Sequence, residues 1–292
     1  MKSLSEVQIG GLEKPGGNAL DDDHFAFGKN WQSFVSDHLN RERIDEAKKS
    51  LVEFCNANNL IRGKTFVDVG CGSGLFSLVA RQLGASKVVS LDIDPESVKC
   101  CEYLREREGH SNWDIKQGSI LDDHFVSNLG KYDFVYSWGV LHHTGNMWKA
   151  IENASRLVKE KGALCIGIYN KAEAWGLYPD GRCGPSHLWV KEKRLYSRMP
   201  APLQSVIDFL VMSALVVSYI LTFNNPIRKI RSHKEFRGMS WKIDIKDWLG
   251  GYPYEYASVD EVFSFVKNLG FCLDNLKCNK GLMNNEYLFR RL

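Results

Sequence analysis

Thr65-Phe66-Val67-Asp68-Val69-Gly70-Cys71-Gly72-Ser73-Gly74 is the stretch that decides the fold of this 292-residue chain. Thr65 to Val69 is short, apolar and rich in β-branched residues, the composition of a buried strand. Glycines then alternate at 70, 72 and 74, and Leu75, Phe76, Leu78, Val79 and Leu83 recur at helical spacing. The pattern predicts a strand, a glycine turn and a helix. Glycine lets the backbone take positive φ and lets a ligand approach with no Cβ in the way. The first N–H groups of the helix point into the turn.

Dinucleotide enzymes place G-x-G-x-x-G at this junction. Here the spacing is G-x-G-x-G, Leu stands at position 75, and Asp68 lies two residues before the first glycine. A carboxylate there repels a pyrophosphate and suits an ammonium group. The stretch resembles motif I of the class I methyltransferases (EC 2.1.1), whose cofactor S-adenosylmethionine carries an amino group and a sulfonium but no phosphate. The resemblance implies that Asp68, Gly70, Cys71, Gly72 and Gly74 bind that cofactor, that S-adenosylhomocysteine is the product, and that no metal is needed. A nicotinamide-dependent oxidoreductase, sharing the strand, turn and helix, is the alternative from another class.

Outward from this junction, Lys87 to Leu91 reads as the second strand, ending at Asp92. An acid at that position grips ribose hydroxyls in Rossmann-like sheets, and Ile93 would face the adenine. Asp94 precedes Pro95 and reads as a helix N-cap with proline at N1. Trp113 to Gln117 is the third strand, followed by Ser119 and Ile120. In resembling families this turn carries an acid toward the adenine amino group; Ser119 offers a hydroxyl instead, and Asp122 or Asp123 could substitute or simply start a solvated helix.

Tyr132 to Ser137 is the fourth strand and runs into Trp138-Gly139-Val140-Leu141-His142-His143. That run resembles the loop after strand four in small-molecule methyltransferases, including the ubiquinone and menaquinone group. The resemblance puts Trp138 at the cofactor and the loop beside the reacting methyl. A histidine there suits proton removal near neutral pH, with His143 the first candidate and His142 the second, unless both merely pack. Adjacent histidines without a nearby carboxylate do not make a metal site. A helix from Asn146 to Val158 and a fifth strand from Ala163 to Ile168 follow. Ser258 opens a further helix, and Phe271 to Cys278 and Glu286 to Arg290 close the sheet.

The expected fold is α/β, a Rossmann-like seven-stranded sheet, mostly parallel with an antiparallel last strand, flanked by helices. A mainly helical insertion follows strand five. The expected division is 1–60 as an N-terminal arm with helices and lid, 61–170 as the cofactor-binding core, 171–256 as a helical substrate or lid insertion, and 257–292 as the rest of the core. Phe27-Gly28-Lys29-Asn30-Trp31 and Gly250-Gly251-Tyr252-Pro253-Tyr254-Glu255 resemble stretches of bacterial methyltransferase-domain proteins. Phe27, Trp31, Arg237, Tyr252, Tyr254 and Glu255 are the expected substrate contacts.

A net charge of +3 is too small to argue for nucleic acid, and no extended basic stripe supports it. A small-molecule acceptor is therefore preferred over tRNA or another macromolecule, with a hydroxyl oxygen favoured because a histidine base helps a hydroxyl more than an amine. Eight cysteines without C-x-x-C or zinc spacing, and an N-terminus without an apolar signal core, read as a reduced cytoplasmic protein. Val206 to Phe223 is almost wholly apolar, with Asp208 inside it and Arg228, Lys229 and Arg231 just beyond. A helix buried in a lid or a homodimer interface is favoured there. Membrane-surface or lipid contact comes second, because the run lacks a polar face of its own. Spanning comes last.

Overall fold

The computed structural model describes residues 25, 27–109, 111–172, 185–235 and 238–292. Seven strands form one sheet: β1 (Thr65–Val69), β2 (Lys87–Asp92), β3 (Trp113–Gln117), β4 (Tyr132–Trp138), β5 (Val158–Tyr169), β6 (Phe271–Lys277) and β7 (Asn284–Arg291). Their order is β3-β2-β1-β4-β5-β7-β6, with β7 antiparallel to both neighbours and the other pairings parallel. The order reverses between β1 and β4, which places a crevice at the carboxyl ends of those strands.

Alternation along each strand builds a core on each face of the sheet. Phe66, Val88, Phe134 and Tyr136 pack against α2 (Arg41–Cys55), α3 (Ala57–Ile61), α4 (Leu75–Gln82) and α5 (Pro95–Glu108). Val67, Val69, Val89 and Val135 point the other way, toward α6 (Asp123–Ser127), α7 (Met147–Arg156) and α12 (Val259–Asn268). Local chemistry sets the helix starts. Asp94 caps α5 by accepting the Glu96 N–H at 2.8 Å, with Pro95 at N1. Ser258 and Glu261 make a capping box at α12. Strand five, expected from Ala163, already starts at Val158 as β5, which shifts register against β4.

A seven-residue helix, α1 (Phe27–Ser33), precedes this core, and the insertion supplies α8 (Pro185–Ser197), α9 (Ala201–Leu221), α10 (Pro226–Ser232) and α11 (Trp241–Gly250). The insertion leaves and returns at adjoining points, where the Ala257 N–H donates to Tyr169 O and the Lys171 N–H to Ala257 O. Lys193 of α8 is fully buried, and its ammonium donates to Trp248 O. One expectation changes here: within one chain, α9 buries none of its residues. The N-terminal arm before Phe25, the loop from Tyr178 to Gly184, and Arg237 lie outside the described residues.

Candidate active site

A cavity of about 860 Å³ opens at the carboxyl ends of β1, β2 and β4. Asp68, Gly70, Cys71, Gly72, Asp92, Ile93, Ser119 and Ile120 line the part built on β1 to β3. Asp68 is 3% exposed and would be costly there without partners. Ser77 Oγ donates to its Oδ2 at 2.6 Å, Ser77 meets Ser90 Oγ at 2.6 Å, and Trp113 Nε1 donates to Ser90 at 2.7 Å. An indole N–H can only donate and a carboxylate only accept, so the whole relay is polarised toward Asp68.

The glycine turn spends its N–H groups on protein acceptors. Gly70 and Cys71 donate to Leu91 O at 2.8 and 3.1 Å, and Gly74 donates to Cys71 O at 2.8 Å. Gly72 donates to Asp92 Oδ2 at 2.9 Å, while Asp92 Oδ1 accepts the Asp94 N–H at 2.9 Å. A pyrophosphate needs such groups uncommitted; this turn suits a ligand that has no phosphate. Burial pushes the Asp92 carboxyl up to about 6, against the opposing pull of the Asp94 and Gly72 N–H groups. Gly70 and Gly72 have φ of +73° and +53°, and a Cβ on Gly72 would stand 3.0 Å from the Trp31 indole.

The other part of the cavity is assembled from distant segments: Phe27 and Trp31, Trp138 and His143, Tyr169, and Asp244, Asp247 and Trp248 of α11. His143 Nδ1 lies 2.7 Å from Pro253 O. A carbonyl only accepts, so Nδ1 carries the proton and Nε2 the lone pair. The His143 ring packs against Phe27 and Tyr169 at centroid distances of 5.2 and 5.4 Å. Gly251 makes room for it, since a Cβ there would stand 2.7 Å from His143 Cε1. Asp247 accepts from Asn30 Nδ2 at 2.6 Å, and burial pushes its carboxyl up to about 8. His233 Nε2 and Asp244 Oδ2 lie 2.7 Å apart at the same wall.

Five predicted residues stand away from the cavity. Gly74 closes the turn onto α5, where a Cβ would meet Cys101 Sγ at 2.8 Å. His142 is fully buried, and burial, helped by His143 and Lys193, holds it well below the ordinary histidine range. Tyr254 is 3% exposed and lies under the Lys193 ammonium and beside Tyr169. Glu255 accepts the Met147 N–H at 2.9 Å, at the start of α7. Tyr252 gives its carbonyl to the Phe25 N–H at 3.0 Å. An aromatic Gly-Gly turn reads as a display surface, but here it is a prop beneath His143. Asp122 caps α6, and Asp123 pairs with Lys149 and Arg156, so both belong to a solvated helix start.

Sequence reading missed the Ser77–Ser90–Trp113 relay and Asn30, Tyr169, His233, Asp244, Asp247 and Trp248. The one available signal was the helical spacing of Asp244, Asp247 and Trp248, on a different side of the helix from Leu249, which packs into a separate apolar cluster.

The profile of a family described as a methyltransferase domain matches residues 61–215, just over half of the chain. The mitochondrial ubiquinone biosynthesis O-methyltransferase of Dictyostelium discoideum is 30% identical over 118 residues, 38% of this chain and 37% of that protein. The ribosomal protein L11 methyltransferase of Photobacterium profundum is 41% identical over 61 residues, 21% of this chain and 20% of that protein. The chain thus matches only about a fifth to somewhat over a third of these relatives' own lengths. Among solved structures, magnesium protoporphyrin IX methyltransferase from Synechocystis, with S-adenosylmethionine bound, superposes with a TM-score of 0.53 at 14% identity, over 95% of this chain and 100% of that one. An O-methyltransferase family protein from Burkholderia thailandensis gives 0.52 at 13% identity, over 91% and 59%. At these identities the likeness is one of fold.

Proposed function

The chain belongs to the methyltransferase-domain family; on that premise we propose that it takes S-adenosylmethionine as its methyl donor and methylates a hydroxyl oxygen of a small, largely apolar acceptor, with His143 as base. The observation that carries this reading is the pairing, in one cavity, of a phosphate-averse glycine turn flanked by two acids with a histidine whose tautomer is set. When bound, S-adenosylmethionine would supply a methyl carbon already activated by its sulfonium, whose bonding electron pair would stay on sulfur as the methyl passes to the acceptor oxygen.

The protein's work is to position the acceptor and remove its proton. Asp92 would hold the ribose hydroxyls, since each of its oxygens accepts one N–H and keeps a further lone pair. Asp68 would face the amino group, held by the Ser77 hydroxyl. Ile93, Ser119 and Ile120 would frame the adenine, with Trp138 beside the sulfur end. His143 Nε2 would take the hydroxyl proton while Nδ1 stays on Pro253 O. Phe27 and Trp31 would cover the reacting atoms and exclude water. Asp247, close to neutral at pH 7, would donate a hydrogen bond to the acceptor rather than repel it.

Calorimetric titration checks the donor half of this reading. S-adenosylhomocysteine should bind and NAD should not; equal binding of the two would return the dinucleotide alternative.

A further inference from the structure

Helix α9 is apolar on two faces, and this chain covers one of them. Ile207, Val211, Met212 and Leu215 pack onto the cluster formed by Tyr196, Ile245 and Leu249. Asp208 also turns inward and accepts from the Tyr196 hydroxyl at 2.5 Å. On the outer side stand Val206, Phe209, Leu210, Val217 and Leu221, each more than half exposed, with Leu221 at 72% and Phe223 just beyond the helix at 100%. Contiguous apolar surface of this kind marks an interaction site.

The helix is long and apolar enough to cross a bilayer by length and composition, but it is held along its length. Near its start Gln204 donates to Tyr196 O at 3.0 Å, and near its end Tyr219 OH accepts from Trp241 Nε1 at 3.4 Å. A helix tied at both ends to one folded body lies along that body and does not thread through a membrane. A surface-bound helix ordinarily needs its own polar face. Here the inner face rests on α8 and α11, so the folded domain takes the place of water.

Charge decides what covers the outer face. Arg228, Lys229 and Arg231 are exposed on α10, beside exposed Ile227. Between Ala201 and Ser232 the only acid is Asp208, and it is engaged inside. A second copy of this chain would bring the same cations and no matching acid from this surface. An anionic lipid surface supplies both an apolar layer and negative headgroups. We propose that α9 and α10 seat the protein on an anionic bilayer as a surface-bound, non-spanning attachment. The outer side chains of α9 enter the acyl boundary, and Arg228, Lys229 and Arg231 meet the headgroups. Helix α11 lies between α9 and the cavity: Leu249 packs in the cluster beneath α9, Asp244 and Asp247 line the cavity, and Ile245 belongs to both. The docked face therefore adjoins the acceptor end of the site.

Vesicle co-sedimentation of the full chain tests this independently of methyl transfer. The chain should sediment with phosphatidylcholine vesicles that contain phosphatidylglycerol, and less with phosphatidylcholine alone, the difference shrinking in high salt. The double substitution Phe209→Asp/Val217→Asp should abolish sedimentation while leaving S-adenosylhomocysteine binding and the melting transition intact. Arg228→Ala/Lys229→Ala/Arg231→Ala, which changes only exposed side chains and guards against a folding defect in the first variant, should weaken binding to anionic vesicles by roughly 100-fold. Failure of the parent chain to sediment with either vesicle would overturn the proposal. So would a dimer in light scattering that Phe209→Asp/Val217→Asp dissociates without any vesicle binding, because a second copy would then cover the face.

Discussion

The two halves of the cavity are built in opposite ways. The half on β1 to β3 comes from three short turns, around residues 68–74, 92–94 and 118–121, whose key contacts are between backbone N–H groups and one strand-end acid. The half around His143 draws side chains from α1, the end of β4 and the loop after it, the end of β5, and α11. The first is a local motif that any chain of this fold can carry. The second exists only after distant segments have packed, and it is the half to which the proposed function assigns the acceptor. A donor site can be held constant while the acceptor site is rewritten by an insertion.

Separate perturbations should therefore separate the halves. The largest effect expected is that of His143→Ala, with turnover falling by about 10²–10⁴-fold. S-adenosylhomocysteine affinity should hold within roughly twofold, because the ring meets the cavity on its acceptor side. Next comes Asp92→Ala, which removes the acceptor of the Gly72 and Asp94 N–H groups as well as the proposed ribose contact. Calorimetry should show S-adenosylhomocysteine binding weakened by about 1–3 kcal/mol. Equal losses of binding in the two variants would erase the division into halves.

Gly251→Ala is a finer cut. Its Cβ would stand 2.7 Å from His143 Cε1 and 2.9 Å from Asp247 O. Displacing the ring should slow turnover by roughly tenfold, since small misplacements at a reacting centre are costly, with cofactor binding intact. The smallest effect near neutrality is one of pH. Burial pushes the Asp92 carboxyl up to about 6, and hydroxyl donors favour its ionised form. S-adenosylhomocysteine affinity should be level above that pH and fall as the pH drops through it, by up to about tenfold per unit. In Asp92→Asn the profile should be flat across the same range.

The same contrast explains what the sequence made legible. The strands, the glycine turn, the strand-end position of Asp92 and the Asp94 cap were readable because period, β-branching and capping chemistry act over a few residues. Phe27, Trp31 and His143 were also readable as cavity residues, since aromatics and histidine stand out in a loop. The error at Tyr252, Tyr254 and Glu255 has a plain cause. Local sequence shows that a turn carries aromatics but not which side of it is roofed, and here α8 supplies the roof through Lys193. Asp247 and Asn30 are 217 positions apart and meet only through tertiary packing. The cover of helix α9 was not legible for a related reason. An apolar run states that something must cover it, but not whether that cover comes from its own chain.

The most direct test of the account is methyl transfer itself. The protein would be incubated with methyl-labelled S-adenosylmethionine and an extract of its native cells, and the products partitioned into organic solvent. Label should pass into the organic phase with the parent chain and drop by at least about 10²-fold with His143→Ala. Label that stays in the aqueous phase on a macromolecule, or a His143→Ala protein as active as the parent, would contradict the small apolar acceptor or the histidine base respectively.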